Sequence, residues 1–102
     1  VKVLIDGGDW RGTNFARATL DGATLRGTED NMVDLRGANL AGASLDGTHL
    51  EWVDLRGANL TSTVFTAAEL THVNMDGAIT EDMKLFGVQA YSVQGLPDQA
   101  GL

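Results

Sequence analysis

Large apolar residues recur at every fifth position along most of this chain. A helix repeats about every 3.6 residues and a strand every two, so a strict period of five indicates neither element alone. Only Asp30 and Thr80 interrupt the series between positions 5 and 85. Its members are Ile5, Trp10, Phe15, Leu20, Leu25, Leu35, Leu40, Leu45, Leu50, Leu55, Leu60, Phe65, Leu70, Met75 and Leu85.

A second series of residues explains this period. Two positions before nearly every large residue lies a small or β-branched one, as at Ala38, Thr48 and Val53. A spacing of two places both side chains on one face of an extended segment, and the mostly polar residue between them points outward. Glycine is frequent two positions after the large residue, where a tight turn favours positive φ. Each unit of five residues, called a five below, is therefore predicted to form one short extended side followed by a corner.

A longer repeat indicates how these sides are arranged. The segment 33–40 recurs unchanged at 53–60, twenty residues later. If each corner turns the chain by a right angle, four fives close one coil of twenty residues. Adjacent coils would then pair through parallel backbone hydrogen bonds, roughly 4.8 Å apart. The sequence predicts an all-β solenoid of about four to five coils, in which the two copies stack on each other.

Several units of the repeat share one motif. The clearest are Ala38-Asn39-Leu40-Ala41-Gly42, Ala43-Ser44-Leu45-Asp46-Gly47 and Ala58-Asn59-Leu60-Thr61-Ser62. They resemble the A-(D/N)-L-x-x unit of pentapeptide-repeat proteins, and the resemblance covers about residues 3–88. It implies a right-handed quadrilateral parallel β-helix. Some members of that family mimic duplex DNA and protect DNA gyrase from quinolones or toxins.

The two interruptions of the series need separate explanations. In a strict repeat of twenty, Asp30 falls between Trp10 and Leu50 in a slot for a large apolar residue. A buried carboxylate is costly unless it is hydrogen-bonded. We therefore expect a distorted side or small bulge, with Asp30 bonded to backbone N–H groups. The alternative is a functional buried acid.

The second interruption is Thr80. The acidic stretch after Thr80 fits either a short helix with Thr80 as its N-cap or one more side of the coil.

The two ends of a solenoid expose unpaired backbone and an open core, so they must be covered. We expect residues 1–88 to form the β-helix and residues 89–102 to form a C-terminal cap or tail. The apolar residues near this end either cover the last coil or form an end-to-end homodimer interface. The candidate interface residues are Phe86, Val88, Tyr91, Val93 and Leu96.

Composition narrows the class of partner. Among the 102 residues, Asp and Glu outnumber Lys and Arg by 14 to 7, for a formal net charge of −7. This balance argues against direct binding of nucleic acid or anionic membranes and favours basic partners. The sequence has no cysteine, and no apolar run approaches the roughly 20 residues of a membrane helix. We expect a cytoplasmic protein, unless a signal or transit segment preceded Val1.

The best candidate for a partner-binding surface is aromatic and acidic. A repeat of twenty places Met32, Trp52 and His72 in one corner column, in place of the usual glycine. An exposed tryptophan with such neighbours is a typical hot spot; alternatively, Trp52 only covers the corner. The candidate partner-binding residues are Trp52, Met32, His72, Glu29, Glu51 and Glu69.

One outward column raises the question of a metal site. The same repeat aligns Asp9, Glu29, His49, Glu69 and Gln89. His49 between two glutamates is compatible with a weak metal site. The simpler interpretation is that His49 offsets repulsion between them, so we expect no metal ligands and no cofactor.

Catalysis has little support in the sequence. The glycines lie at corners of a regular repeat and do not form a phosphate-binding loop before a helix. We interpret the protein as a non-enzymatic, rigid interaction or scaffold module with an acidic side. The alternative, drawn from the family resemblance, is a DNA mimic that binds a topoisomerase. Duplex DNA carries one charge per roughly 1.7 Å, about twice the density that this net charge supplies along a rod of roughly 22 Å.

Overall fold

The chain forms a parallel β-solenoid of about four coils, described for residues 3–97 by a computed structural model. Strands lie on two of its four sides, and isolated parallel bridges such as Asn39↔Asn59 and Ser44↔Val64 continue the pairing on the other two. The strands are β1 (Leu4–Asp6), β2 (Gly8–Asp9), β3 (Thr24–Arg26), β4 (Val33–Asp34), β5 (His49–Asp54), β6 (Glu69–Asn74) and β7 (Gln89–Tyr91).

The interior contains the two apolar series predicted from the sequence. Large residues such as Leu55 and Phe65 are at most 1% exposed, and the small residues Ala38 and Ala58 are fully buried. Polar residues in the small series are also satisfied, since the Thr63 hydroxyl donates to the Leu40 carbonyl at 2.7 Å. The core is therefore apolar and continuous along the solenoid axis.

The offset between paired residues is not the same along the whole solenoid. β1 pairs with β3 at an offset of 20, as in Ile5↔Leu25, whereas β2 pairs with β4 at 25, as in Gly8↔Val33. From β4 onward the offset is 20 again. Residues 28–32 therefore lie outside the coil, as a loop inserted at one corner. The larger offset also holds for Asn14↔Asn39, Thr19↔Ser44 and Thr24↔His49.

This insertion, called the 28–32 loop below, closes on itself through a tight turn. The Thr28 N–H donates to the Asn31 carbonyl at 3.0 Å, and the Asn31 N–H donates to the Thr28 carbonyl at 3.2 Å. The Thr28 hydroxyl oxygen also accepts from the Asn31 N–H, at 3.1 Å. Glu29 and Asp30 are the two central residues of the turn, and both are exposed.

The predicted environment of Asp30 is therefore wrong, although the chain does bulge there. Leu50 stacks on Leu25, so Asp30 is not its neighbour. Trp10 does not stack on Asp30 either, because the residue before it, Asp9, pairs with Asp34. Asp30 makes no hydrogen bond to any residue between 3 and 97, so the predicted bonding to backbone N–H groups is also absent there. An extra five looped out of the coil leaves the period of five intact, which is why the apolar series did not reveal it.

Two glycines allow the 28–32 loop to pack closely against the coil. A Cβ on Gly27 would lie 2.6 Å from the Trp52 carbonyl oxygen and 2.7 Å from the Met32 Cα. A Cβ on Gly7 would lie 2.5 Å from the Asn31 side-chain nitrogen. At Gly27 the close atoms belong to the backbone, so a side chain there would displace the loop or the coil, whereas at Gly7 the Asn31 side chain would have to move.

The duplicated segments stack as the sequence predicts. Val33 pairs with Val53 and Asp34 pairs with Asp54. The stretch after Thr80 is one more side of the coil, since Val64 pairs with Lys84 and no helix occurs in residues 3–97.

Two aromatic side chains lie close together near the N-terminal end. The Trp10 indole N–H donates to the Gly7 carbonyl at 3.2 Å, and the Trp10 and Phe15 ring centres lie 6.3 Å apart. Trp10 is 36% exposed, whereas Phe15 packs against the core.

At the C-terminal end, pairing continues past residue 88 through β7 and the bridge Asn74↔Gln94. Phe86 and Tyr91 project outward and are 72% and 70% exposed. The predicted cap or tail over 89–102 extends beyond the described residues and stays a prediction, as does the homodimer. The other three candidate interface residues are half-buried against the core: Val88, Val93 and Leu96.

Candidate aromatic corner and its flanking groove

The candidate site is built on one corner of the solenoid. Pairing of the strands that lead into this corner aligns its turn positions from coil to coil. Two of these positions carry rings, Trp52 with φ 55° and His72 with φ 53°. This left-handed region is uncommon for bulky residues. In chain order, the column contains Gly7, Gly27, Trp52, His72 and Ser92.

The two rings stack on each other. The ring centres of Trp52 and His72 lie 4.0 Å apart, with an angle of 13° between the planes. Tyr91 contacts the His72 ring edge-on, with a centre-to-centre distance of 6.0 Å and an angle of 80°. Because neighbouring coils are spaced by roughly 4.8 Å, consecutive corner side chains are brought into stacking distance by the fold itself.

Met32 reaches the same corner by a different route from the one predicted. It is the last residue of the 28–32 loop and precedes Val33, as Trp52 precedes Val53. Met32 lines a groove of about 320 Å³ together with the two stacked rings. The rest of the lining comes from the adjoining side, namely Val73, Asn74, Ser92 and Gln94.

The predicted glutamates are only partly brought together. Glu51 is exposed and immediately precedes Trp52. Glu69 lies on the same side, where its Oε2 is 2.7 Å from His49 Nδ1. Glu29 is in the 28–32 loop, so the predicted column with His49 between two glutamates is not formed. Thr24 pairs with His49 in its place.

Next to the corner lies a ladder of aspartate–arginine pairs, which a strict repeat of twenty predicts for Asp34 and Asp54 but not for Asp9. In each pair the arginine Nε and Nη2 both donate to the aspartate two residues earlier, at 2.7–2.9 Å in the closest contacts. Positions two apart on an extended side point the same way, so an Asp-x-Arg sequence favours this geometry. The pairs are Asp9–Arg11, Asp34–Arg36 and Asp54–Arg56.

The ladder is also linked between coils. Arg11 Nε lies 3.7 Å from Asp34 Oδ2, and Arg36 Nε lies 3.9 Å from Asp54 Oδ2. The hydrogen bond from Arg36 holds the pKa of Asp34 below its usual range, and Asp34 raises the pKa of Arg36. Both groups therefore remain ionised at neutral pH.

The sequence contained a signal for this ladder, the Asp-x-Arg triplets at 9–11, 34–36 and 54–56. A strict repeat of twenty instead predicts that Asp34, Asp54 and Asp76 form ladders with Arg17, Arg36 and Arg56, and it places Arg11 on the Trp52 side. The offset of 25 moves Asp9 and Arg11 beside Asp34 instead.

Within residues 3–97, no three His, Asp or Glu side chains are grouped as metal ligands, and no helix is long and apolar enough to cross a membrane. The fold and the site define a β-solenoid of five-residue sides with an aromatic corner. The Pentapeptide repeats family model matches eight copies, over residues 5–29, 34–64 and 43–79. Because these matches span more than half of the chain, the protein belongs to the pentapeptide-repeat family, and the predicted right-handed quadrilateral parallel β-helix is confirmed.

Two solved structures are similar to this chain. One is the pentapeptide repeat protein Rfr23 from the cyanobacterium Cyanothece 51142, with 20% identity, a TM-score of 0.42, and coverage of 86% of this chain and 84% of that one. The other is a pentapeptide repeat protein of the Arabidopsis thaliana thylakoid lumen, with 28% identity, a TM-score of 0.40, and coverage of 78% of this chain. The match spans 59% of that plant protein. No curated protein matches this sequence.

Proposed function

We propose that this protein is a non-enzymatic interaction module whose partner docks on the aromatic corner. The pentapeptide-repeat fold supports a scaffold or interaction role in general. The observation that carries the specific proposal is the stacked pair Trp52–His72, which occupies corner positions in the left-handed backbone region.

The arrangement of the two rings favours a role in recognition. Trp52 and His72 are half-buried and already stacked, with ring centres 4.0 Å apart. Their left-handed backbone is a general property of the corners, since Ala67 and Ser62 share it. Rings that already stack lose little conformational freedom when a partner covers them, which makes them suitable hot-spot residues.

The charge around the corner favours a basic partner. Glu51 is adjacent to Trp52, and Glu69 lies on the same side. Together with the net charge of −7, these carboxylates would attract a positively charged surface and accelerate its association. Acidic side chains around an aromatic centre also match the usual layout of a polar rim around a hot spot.

No observation favours the DNA-mimic alternative within residues 3–97. The outward aspartates beside the corner are each paired with an arginine. Duplex DNA presents rows of phosphates that carry one charge per roughly 1.7 Å. Pairing removes the uncompensated charge on the side where the aspartates form their longest column.

A Trp52→Ala variant tests the proposal. Alanine fits this backbone, since Ala67 occupies the same kind of corner at φ 59°. We expect an unchanged circular dichroism spectrum and an at least tenfold weaker capture of the partner, as for loss of a hot spot. The measurement is quantitative affinity capture from an extract of the source organism.

The matched control for this experiment is Phe86→Ala, which removes another exposed ring on a different side. This variant should capture the same protein as the wild type. Equal capture by the wild type and Trp52→Ala would show that the aromatic corner is not the docking site.

A further inference from the structure

The 28–32 loop creates a second groove, beside the ladder of aspartate–arginine pairs. The groove has a volume of about 500 Å³. Its floor is formed by the three pairs, and one wall is formed by residues 29–32. Met32 lines this groove and also the groove at the aromatic corner, so the two grooves adjoin at this residue.

The two grooves together follow one column of outward side chains through five stacked positions. Four spacings of roughly 4.8 Å make this track about 19 Å long, which corresponds to about six residues of extended peptide. Its two halves differ in chemistry, since aspartates form one half and amides the other. The column consists of Asp9, Asp34, Asp54, Asn74 and Gln94.

The loop half of the track has an excess of negative charge. Its lining contains five carboxylates and three guanidinium groups. The three floor aspartates are paired with the three arginines, whereas Glu29 and Asp30 form no ion pair with any residue between 3 and 97. Two exposed carboxylates at the tip of a turn, beside a floor that is already neutralised, fit the side chain of a lysine or arginine.

The corner half of the track fits a different side chain. Trp52, His72 and Met32 offer an apolar wall, on which an aromatic or long aliphatic side chain would pack. The Asn74 carboxamide oxygen accepts from the Asp76 N–H at 2.9 Å, which leaves its NH₂ group able to donate to a peptide carbonyl.

We propose that the two grooves form a single track for an extended peptide segment of a protein partner. A basic residue of that segment contacts Glu29 and Asp30, and an aromatic or aliphatic residue three to five positions away packs on Trp52 and His72. The inference rests on the proposed function, because it specifies the partner segment that the aromatic corner would bind.

Selection from a phage-displayed library of random heptapeptides on the full chain tests this proposal. The enriched peptides should share a lysine or arginine that lies three to five residues from an aromatic or aliphatic residue. The most enriched peptide is then synthesised with a fluorescent label and titrated by anisotropy. Failure to enrich any peptide with this pattern would overturn the proposal.

Two double variants with the same charge change separate the track from general electrostatic attraction. Glu29→Gln with Asp30→Asn should weaken peptide binding at least tenfold. Glu81→Gln with Asp82→Asn neutralises an adjacent pair of exposed acids on a different side, and it should change the affinity less than twofold. Equal weakening by both double variants would contradict a specific contact with the 28–32 loop.

A change in the peptide completes the test. Replacing its basic residue by glutamine should weaken binding to the wild type, with no additional loss on the Glu29→Gln, Asp30→Asn variant. If Trp52→Ala abolishes binding and the loop variant does not change it, the aromatic corner stands and the track is wrong. If neither variant changes binding, both the track and the proposed function are wrong.

Discussion

A Phe65→Ala variant should lose about 3–5 kcal/mol of unfolding free energy, the usual range for a fully buried phenylalanine. Phe65 is 0% exposed and lies in the middle of the solenoid. Its outward neighbour Val64 pairs with Ser44 on one side and Lys84 on the other, so Phe65 stacks between Leu45 and Leu85. Alanine would leave a cavity between two coils that the stiff backbone ladders cannot close.

The measurement is urea unfolding followed by circular dichroism, with Phe86→Ala as the control. Phe86 is 72% exposed, so its removal should change stability by no more than about 0.5 kcal/mol. Equal losses from the two variants would show that the fifth-position series does not form the core in the way described.

Excision of residues 28–32 should leave the solenoid intact, although it removes five consecutive residues. The new junction joins Gly27 to Val33 and produces the sequence Leu25-Arg26-Gly27-Val33-Asp34, which has the same pattern as Leu35-Arg36-Gly37-Ala38-Asn39. All coils would then pair at an offset of 20. The change in stability should stay within about 1 kcal/mol, because only an exposed loop is lost and the closure cost of a short loop is small.

The matched control is excision of another five, residues 58–62. This segment includes Ala58 and Leu60, both 0% exposed, and its loss shifts every later side by one corner. We expect a loss of at least about 2–5 kcal/mol, the range for deleting one large buried side chain. If excision of 28–32 is as destabilising as excision of 58–62, the loop is part of the coil and the register described above is wrong.

The fold could be predicted from the sequence because every side repeats the same chemistry. A large residue, a small residue two positions earlier and a corner glycine all follow from the geometry of a short strand and a tight turn. These constraints are local, so they appear in each five regardless of what lies elsewhere. The stacked duplicates 33–40 and 53–60 show the result, with Val33 on Val53.

The register across the first coils could not be predicted from periodicity. An insertion of five residues keeps the apolar series in phase. It changes only which side of the coil each residue is expected to occupy. The acid at Asp30 in an apolar slot and the missing corner glycine near residue 32 were the available signals, but they also fit a distorted side. As a consequence, a strict repeat of twenty places Glu29 beside His49 and separates Arg11 from the other arginines of the ladder.

The aromatic corner was predicted more completely than the groove beside it. Trp52 and His72 lie after the insertion, where the offset is 20, so their stacking follows from the repeat. Met32 belongs to the same corner because it ends the loop. In the floor of the adjoining groove, the repeat of twenty predicts the pairs at Asp34 and Asp54, whereas Asp9 joins them only through the offset of 25.

The central structural claim is that residues 28–32 lie outside the coil and shift the register by one five. Cysteine pairs test it directly, because the chain has no cysteine of its own. The described pairing makes Asn14 and Asn39 neighbours, at a spacing of roughly 4.8 Å that suits a disulfide. A strict repeat of twenty would instead make Asn14 and Asp34 neighbours.

The measurement is the yield of intramolecular disulfide under mild oxidation, determined by mass spectrometry of the digested protein. Asn39→Cys with Asn59→Cys is the positive reference, since those residues pair in the regular part of the solenoid. We predict that Asn14→Cys with Asn39→Cys matches the reference and that Asn14→Cys with Asp34→Cys stays largely reduced. The opposite order of yields would contradict the looped-out five and the groove built upon it.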